Sequence, residues 1–534
     1  MRLLIPILVL CASTMLTAQT TRLTDLNEGP ANGISEDVRI LTTFDNSIVF
    51  FDEVDDIRYL FISDGTMEGT KELLNVGSSG WINSVHEIGD FLYANGRIDT
   101  IPDRSLVRIS KIDHSTEILL ESWETISWMQ SYNGALYFSG EETNFDNYLY
   151  KYDVELEEAV QIFEVYWFGG IYGIGQFKDE IYVMHGVDID DTMQLSKTTG
   201  EPGNQTLIDY FPASSVNRPP LMQAADDYMF FWARSDGNSY SLYKTNGETN
   251  SSVLLSDTFE YIPFYDYEER RSFTTIGNNY LFRAREKDGS FAKFFTADGD
   301  NDVVEEIVTA ESGQDVEGEP EYFVHYNGKV YMKANYAEFF FPAYALFETD
   351  GTFFGTRRVL DFDEMPSGYS NDGFGLTSFE NRLYYTAYTD EAGRELWSTE
   401  GTEESTTQHT DLVPGDASSG IVHLTPVGEN LFFFADTPEF GRELYVYQSE
   451  DVNTTDVYLE EQIELFPNPV SDWLRIEYTN GSEKMYMISD MHGQQIERGL
   501  VQNDRIKVST LPSGAYILTI KEDGIQKIGR FIKL

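Results

Sequence analysis

The fold is set by the stretch Leu60-Phe61-Ile62-Ser63-Asp64-Gly65-Thr66-Met67-Glu68-Gly69-Thr70. It returns as Leu346-Phe347-Glu348-Thr349-Asp350-Gly351-Thr352-Phe353-Phe354-Gly355-Thr356, and a shorter copy runs from Glu395-Leu396-Trp397 to Thr402. In each copy a Leu and an aromatic residue end an apolar run, and a Gly-Thr turn follows. Because Asp caps backbone amides and Gly accepts positive φ, we interpret the turns as structural, not catalytic. The turn residues are Asp64, Gly65, Thr66, Gly69, Thr70, Asp350, Gly351, Thr352, Gly355, Thr356, Trp397, Gly401 and Thr402.

Two sequence marks repeat with this stretch along the middle of the chain. Apolar-aromatic strand cores begin at Ile48, Leu92, Leu136, Ile181, Met229, Leu281, Val330, Leu383 and Leu431, which are 44 to 53 residues apart and average about 48. Leu-aromatic pairs follow at Leu60, Leu149, Leu242, Leu346, Leu396 and Leu444, with Phe294-Phe295 in the same place and weaker copies at Leu106 and Leu195. Two independent marks with one period indicate an internal repeat.

Each repeat contains about four short apolar stretches separated by Gly, Asn, Asp and Ser clusters, and helical periodicity is almost absent. Four strands per ~48 residues predict an all-β fold, a large β-propeller of about nine, or alternatively eight, four-stranded blades. A β-solenoid usually has shorter coils, and a string of small sandwiches would need linkers that the sequence does not show.

The two ends of the repeat region suggest how the ring closes. The ninth repeat shows three strands up to Tyr447 but no fourth, whereas Thr21–Leu26 reads as an isolated strand. The run from Leu23 to Gly29 also echoes Thr410–Gly415. We therefore predict that the N-terminal strand completes the last blade and covers its open edge.

The repeat resembles the ELWxxDGT repeat family of secreted bacterial proteins. Glu395–Thr402 carries the resemblance, Leu60–Thr70 and Leu346–Thr356 fit the same pattern, and Asn246-Gly247 and Asp298-Gly299 are decayed versions. The resemblance covers most of residues 21–450. It implies secretion, and it implies no settled activity.

Composition excludes several classes of function. The chain has 534 residues, with 37 basic and 90 acidic side chains and a net charge of −53. Such a surface repels phosphate backbones and anionic membranes, so we expect no nucleic-acid partner. Aromatic residues make up 14% of the chain, too many for a disordered acidic protein.

The first residues are typical of a secretory signal peptide. Arg2 precedes the apolar run Leu3–Leu10, and small and polar residues lead to Ala18 and Gln19, between which we predict cleavage. A lipoprotein signal at Cys11 is the alternative, but Leu10 replaces the small residue that such signals need. No later segment is long and apolar enough to predict a membrane span.

The C-terminal residues differ from the repeats in charge and in their motifs. Residues 460–534 carry 11 acidic and 9 basic side chains and are nearly neutral. Their short strands predict a small β-sandwich, with the motif residues Pro467, Asn468, Pro469, Asp490, Gly493, Leu511, Gly514 and Tyr516. In order and spacing these motifs are similar to the type A C-terminal sorting domain of type IX secretion cargo. An ordinary accessory sandwich is the alternative.

The resemblance implies that the type IX secretion machinery is a partner, that the chain crosses the outer membrane, and that the tail is removed. The protein would then be released or attached to surface lipopolysaccharide. We predict four segments: a signal peptide at 1–18, the propeller at 19–448, a linker at 449–464 and the sorting domain at 465–534.

Motifs of known chemistry are scarce in this sequence. The histidines are scattered singly, and there is no Gly-x-Ser-x-Gly elbow or phosphate loop. Two acidic clusters are candidates for calcium, Asp188–Asp191 and the alternating Asp298, Asp300 and Asp302, but both lack the full pattern of a calcium loop. Solvated turns are the preferred interpretation, and we predict no cofactor.

Three functions remain open at this point. The first is a binding propeller for an extracellular ligand, a glycan or a protein, held on one ring face or at the channel mouth. The second is a secreted carbohydrate-active hydrolase or lyase with carboxylates at the channel, and the third is a calcium-stabilised adhesin. Convergent carboxylates in the channel would favour the enzyme, whereas a bare channel with an aromatic face would favour binding.

Overall fold

The computed structural model describes most of the repeat region and parts of the C-terminal region. The described residues are 19–26, 31–100, 104–123, 125–141, 147–154, 156–165, 170–186, 192–212, 222–236, 239–261, 272–287, 289, 292–307, 318–335, 344–361, 375–389, 391–449, 461–462, 465–466, 468–471, 473–476, 485–489, 495–501, 505–509, 511–512, 514–522 and 525–533. The chain divides after Gln448 into two compact units.

The larger unit consists of antiparallel strands that group in fours, and we call each group a module. After β1 (Gln19–Arg22), module 1 contains β2 (Arg39–Phe44), β3 (Ser47–Val54), β4 (Ile57–Ser63) and β5 (Lys71–Gly77). Module 2 contains β6 (Trp81–Ile88), β7 (Phe91–Arg97), β8 (Arg104–Ser110) and β9 (Thr116–Trp123), and module 3 contains β10 (Thr125–Tyr132), β11 (Ala135–Glu141), β12 (Asn147–Asp153) and β13 (Glu158–Val165). Module 4 contains β14 (Ile171–Phe177), β15 (Glu180–Gly186), β16 (Thr192–Thr198) and β17 (Thr206–Pro212), and module 5 contains β18 (Met222–Ala224), β19 (Met229–Asp236), β20 (Ser239–Thr245) and β21 (Val253–Tyr261).

The remaining modules follow the same order. Module 6 contains β22 (Phe273–Ile276), β23 (Asn279–Glu286), β24 (Lys293–Asp298) and β25 (Val303–Glu306), and module 7 contains β26 (Gly318–Tyr326), β27 (Lys329–Asn335), β28 (Tyr344–Thr349) and β29 (Arg357–Asp361). Module 8 contains β30 (Leu376–Phe379), β31 (Arg382–Thr389), β32 (Gly393–Thr399), a 3-10 turn (Glu403–Ser405) and β33 (Thr407–Gln408). Module 9 contains β34 (Val422–Val427), β35 (Asn430–Thr437) and β36 (Gly441–Gln448), and its fourth strand is β1.

The repeated apolar residues form the buried cores of these modules. The nine positions that begin the strand cores are at most 1% exposed, and the Leu or Phe residues of the second mark, from Leu60 to Leu444, are all fully buried. Nine apolar clusters lie between neighbouring modules in the described part of the chain, and one of them joins module 9 to module 1. Both sequence marks therefore fill the spaces between adjacent sheets.

The first strand of each module contacts the first strand of the next, and β34 contacts β2. The innermost strands therefore close a ring, and the larger unit is a β-propeller, as the sequence predicts. Modules 5 and 6 share one continuous sheet, because β21 pairs with β23 at Phe259–Glu286 and Tyr261–Arg285. The number of separate blades, nine or eight, stays a prediction.

The smaller unit is a β-sandwich with its own core. One sheet contains β37 (Glu461–Gln462), β40 (Met485–Ser489), β41 (Gln495–Leu500), β43 (Gly514–Glu522) and β44 (Ile525–Lys533), and the other contains β38 (Leu465–Phe466), β39 (Trp473–Ile476) and β42 (Arg505–Lys507). Leu474, Leu518 and Phe531 are among the buried residues between the sheets. Strand β37 lies inside the segment that the sequence suggests is a linker.

Among the described residues we find no helix with the length and apolar character needed to cross a membrane.

Candidate functional site

The innermost strands of the propeller enclose a cavity with a volume of about 710 Å³. Six strands contribute to its described lining: β2, β18, β22, β26, β30 and β34. Because the first strand of every module faces the ring axis, this cavity is part of the central channel. Sequence analysis expects a site at the channel but does not identify its residues, since all four strands of a module alternate in the same way.

The described lining of this cavity, to which β6, β10 and β14 do not contribute, carries no charged side chain. It supplies hydroxyl, amide and imidazole groups between aliphatic and aromatic side chains, and it includes no carboxylate: Ile40, Thr43, Gln223, Phe273, Thr274, Tyr322, Phe323, Val324, His325, Leu376, Thr377, Ser378, Leu424, Thr425 and Pro426. Such a surface can form hydrogen bonds and apolar contacts with a neutral ligand.

One hydrogen bond in the channel joins two neighbouring modules. The hydroxyl oxygen of Thr274 on β22 lies 2.8 Å from Nε2 of His325 on β26. Partial withdrawal from water lowers the pKa of His325 below its ordinary value of 6.5, because desolvation disfavours the imidazolium. At neutral pH the imidazole is therefore uncharged and either donates to or accepts from Thr274.

Three innermost strands carry a ring side chain at the same kind of β-bulge. Trp128 on β10, Tyr322 on β26 and His423 on β34 have φ angles of 55°, 59° and 59°, and each lies within a register shift of its strand. Positive φ is costly for residues with bulky side chains and is concentrated at functional sites. Trp128 is 39% exposed and leaves an aromatic surface accessible, whereas Tyr322 is buried.

The repeat turns are held by the same hydrogen bonds in both complete copies. Asp64 accepts from the backbone N–H of Thr66 at 2.9 Å and from its hydroxyl at 2.7 Å, and Asp350 does the same with Thr352. The Thr hydroxyl then accepts from the N–H of Gly69 at 2.9 Å, or of Gly355 at 3.0 Å.

The last Thr of each turn closes the loop. Thr70 and Thr356 donate to the carbonyl oxygens of Thr66 and Thr352, each at 2.7 Å. The carboxylates of these turns are therefore occupied within the turn, which supports a structural role.

Glycine in these turns permits a close approach between modules. Gly65 has φ 87°, and a Cβ there would come within 2.7 Å of Asn430 Nδ2 in module 9. Gly401 in the third copy has φ 98°, and a Cβ there would lie 3.4 Å from the hydroxyl of Tyr331 in module 7. Trp397 and Thr402 belong to this third copy, where Ser405 donates its backbone N–H to the Thr402 hydroxyl. Each turn thus packs against the preceding module around the ring.

Two equivalent glutamates are fully buried at the start of the third strand in modules 8 and 9. Glu395 and Glu443 both follow Gly-Arg and pair with an alanine of the second strand, Ala387 or Ala435. Glu395 accepts from the hydroxyl of Thr410 at 2.5 Å and from the backbone N–H of Val413 at 3.5 Å, and the backbone amide of Leu412 also contributes. Burial raises the pKa of Glu395, and these donors counteract the rise.

Glu443 has fewer donors than its counterpart. Among the described residues neither of its carboxylate oxygens has a hydrogen bond of good geometry, and Thr24 and Leu26 supply only weak interactions. Gly33 replaces Ser419 here, since both residues donate their N–H to the equivalent arginine carbonyl. Burial raises the pKa of Glu443 to about 7. Sequence analysis missed both glutamates, although the repeated Gly-Arg-Glu-Leu at 393–396 and 441–444 marks them.

The calcium candidates on the turn after β24 already have protein partners. Asp298 accepts from the backbone amides of Asp300 and Asn301 at 2.8 and 3.0 Å, and the side-chain amide of Asn278 donates to Asp300 at 3.1 Å. Asp302 forms an ion pair with Lys244. The described residues contain no group of three acidic, His or Cys side chains arranged to hold a metal ion. Asp188–Asp191 lies outside the described residues.

In the smaller unit, Asn468 of the predicted sorting motif is hydrogen-bonded to the last strand, β44. The side-chain amide of Asn468 donates to the carbonyl oxygen of Arg530 at 2.9 Å, and its oxygen accepts from the N–H of Ile532 at 2.9 Å. Tyr516 donates its hydroxyl to the carbonyl oxygen of Pro512 at 3.0 Å and stacks on Phe531.

The other motif residues fall into two groups. Leu511 is buried in the sandwich core, Gly514 begins β43, and Pro469 follows a cis peptide bond. Pro467, Asp490 and Gly493 lie outside the described residues. At the predicted cleavage position Gln19 begins β1 and pairs with Gln448, whereas Ala18 is not described.

Residues 464–534 match the family model of the secretion system C-terminal sorting domain. The prediction of a sorting domain is therefore confirmed. This domain indicates the type IX secretion machinery as a partner and places the protein outside the cell, as a secreted or surface protein. A comparison with curated proteins found no match.

Solved structures similar to this chain include one β-propeller domain and two enzymes. The β-propeller domain of the Trilobed protease from Pyrococcus furiosus is 14% identical, with 62% of this chain and 98% of that chain covered and a TM-score of 0.32. An oligogalacturonate lyase from Vibrio parahaemolyticus is 12% identical, with 79% and 98% covered and a TM-score of 0.34. A puromycin-hydrolyzing peptidase from Mycobacterium tuberculosis is 9% identical, with 68% of this chain and 58% of the peptidase covered and a TM-score of 0.38.

Proposed function

We propose that the propeller is an extracellular binding module that holds a neutral ligand, a glycan, in its central channel. The observation that carries the proposal is the channel lining, which combines hydroxyl and amide groups with aromatic and aliphatic side chains. Hydroxyl-rich ligands need donors and acceptors beside apolar surface, and this lining supplies all three.

The charge distribution supports the same choice of ligand. The 90 acidic residues would repel an anionic ligand, whereas the described channel lining has no charge that would attract a cation. Most glycoside hydrolases use two carboxylates beside the scissile bond. The described lining of this cavity supplies none, which favours binding over glycoside hydrolysis.

The test is a screen of the purified chain against a glycan array, with hydrolysis and lyase assays on the same glycans. We expect binding without turnover. Thr274→Val should weaken binding of the best glycan by roughly fivefold, because it removes one hydroxyl from the channel. Thr116→Val is the matched control, since Thr116 is exposed on the outer strand β9. Turnover of a bound glycan, or equal effects of both substitutions, would contradict the proposal.

A further inference from the structure

A second cavity lies at the rim of the propeller, between modules 6 and 7. Its volume is about 400 Å³, and we call it the rim cavity. Strands β24 and β25 form one side with Thr296, Val303 and Glu305, and the repeat turn of module 7 forms the other with Phe353 and Phe354. None of these residues lines the channel cavity, so the inference does not rest on the proposed function.

The aromatic pair of the rim cavity is unusually accessible. Phe354 is 89% exposed and Phe353 is 38% exposed, and their rings pack edge to face with centroids 5.2 Å apart. The equivalent turn of module 1 carries Met67 and Glu68 at these positions, with the same internal hydrogen bonds. The turn therefore does not need aromatic residues to fold, and a phenylalanine left in water is typical of an interaction site.

A polar group without a partner lies in the wall of the same cavity. Thr296 is 8% exposed, and its hydroxyl has no hydrogen-bond partner among the described residues. A buried hydroxyl without a partner is destabilising, so an external group that reaches it would be favoured. Thr296 lines the cavity but its hydroxyl oxygen is covered, so a bound side chain supplies the missing hydrogen bond after a small shift of the cavity wall.

The charge of the rim cavity is negative. Glu305 is exposed, pairs with Thr296 across the two strands, and has no ion-pair partner among the described residues. Glu306 is bound to Lys293 at 2.7 Å, and Asp298 is committed to the turn amides. Glu305 is therefore the carboxylate available to a ligand, in a protein whose net charge of −53 attracts cations.

We propose that the rim cavity binds an arginine side chain of a partner polypeptide. A guanidinium group is planar, stacks on aromatic rings and only donates hydrogen bonds. It matches an exposed phenylalanine, a free carboxylate and a hydroxyl oxygen that needs a donor. A neutral sugar would gain nothing from the charge of Glu305, whereas a guanidinium group would.

The probe is the peptide acetyl-Gly-Ala-Arg-Ala-Gly-amide, compared with the same peptide carrying the uncharged isostere citrulline. Binding to the full chain is measured by ligand-observed NMR titration at physiological salt, which screens the general acidic field. We expect the citrulline peptide to bind roughly tenfold more weakly than the arginine peptide. Equal affinities would overturn the proposal.

Substitutions then locate the binding. Phe354→Ala should raise the Kd of the arginine peptide about three- to fivefold, whereas Met67→Ala in the equivalent turn should leave it unchanged. Thr296→Val should also weaken binding while the chain stays folded, because valine keeps the shape of threonine without the hydroxyl. Equal effects of Phe354→Ala and Met67→Ala, or tighter binding of a neutral oligosaccharide that Phe354→Ala abolishes, would overturn the assignment.

Discussion

Modules 8 and 9 have nearly the same inner construction but close in different ways. In module 8 the fourth strand β33 continues directly from the third, whereas in module 9 the fourth strand is β1, from the other end of the chain. Both third strands carry a buried glutamate that faces a Thr-Asp-Leu segment, at 410–412 in one case and 24–26 in the other. In module 9 the N-terminal segment thus takes the place that the directly continuing chain occupies in module 8.

The two modules differ in how many hydrogen bonds the buried glutamate accepts. Glu395 accepts from Thr410 and from the backbone N–H of Val413, whereas neither carboxylate oxygen of Glu443 has a hydrogen bond of good geometry among the described residues. Burial raises the pKa of Glu443 to about 7, and the weak interactions with Thr24 and Leu26 offset only part of the rise. The module that closes the ring therefore carries a pH-dependent weakness that its neighbour largely avoids.

Removing the N-terminal strand should have the largest effect. Deletion of residues 19–26 removes the fourth strand of module 9 and the buried Leu23, which packs between modules 9 and 1. We expect a loss on the order of 5 kcal/mol in the free energy of unfolding, because a core residue and a whole strand pairing are lost. Urea unfolding followed by tryptophan fluorescence measures it. Deletion of residues 465–534 is the control, and an equal loss in both truncations would count against closure by β1.

The second effect concerns protonation of Glu443. A raised pKa means that the folded state retains its proton longer than the unfolded state, so stability falls as pH rises from about 4.5 to about 7. Above pH 7 the full penalty is about 3 kcal/mol for a shift of this size. Glu443→Gln removes the ionisation and should raise the Tm at pH 8 while changing it little at pH 4.5. Thermal melts over this pH range measure the effect.

Glu395→Gln is the matched control for this titration. The carboxylate of Glu395 accepts from the hydroxyl of Thr410 and from backbone amides, and an amide replaces one of its acceptor oxygens with a donor. We expect this substitution to lower the Tm at pH 8 instead of raising it. If Glu395→Gln and Glu443→Gln raised the Tm at pH 8 equally, the two buried glutamates would not differ as described.

The smallest effect concerns the repeat turns at two interfaces of the ring, between modules 9 and 1 for Gly65 and between modules 7 and 8 for Gly401. Gly65→Ala and Gly401→Ala both place a side chain at positive φ, which costs about 1 kcal/mol. Gly65→Ala should cost roughly 1 kcal/mol more, because its Cβ would approach Asn430 to 2.7 Å, whereas the contact of Gly401 with Tyr331 is 3.4 Å. Chemical denaturation of both variants gives the comparison. A larger loss for Gly401→Ala would show that the closing interface is not the tighter one.

Much of the fold could be predicted from the sequence because the packing is repeated. Leu60 and its equivalents are buried for the same reason in every module, so one periodic pattern predicts the strands, the all-β class and the propeller. The N-terminal strand could be anticipated as well, because the Thr-Asp-Leu segment occurs at both 24–26 and 410–412. The sorting domain could be identified from its motifs without any structure.

The candidate sites could not be predicted in the same way. Thr274 and His325 are ordinary strand residues until the ring places two innermost strands side by side. Glu443 stands in a repeated tetrapeptide, but its neighbours Thr24 and Gly33 lie more than 400 residues away in sequence. Both features arise from contacts between distant segments of the chain. The alternation of apolar and polar residues within one strand predicts which face is buried, but it does not predict these contacts.

Hydrogen exchange of the full chain gives the most direct evidence on whether β1 closes the ring. The amides of residues 20–26 and of β36 would be followed by mass spectrometry, with the outer strand β9 of module 2 as the internal reference. Closure by β1 predicts that residues 20–26 exchange as slowly as β9 and lose protection together with β36. Exchange of residues 20–26 at the rate of an unstructured peptide, with β36 still protected, would contradict it.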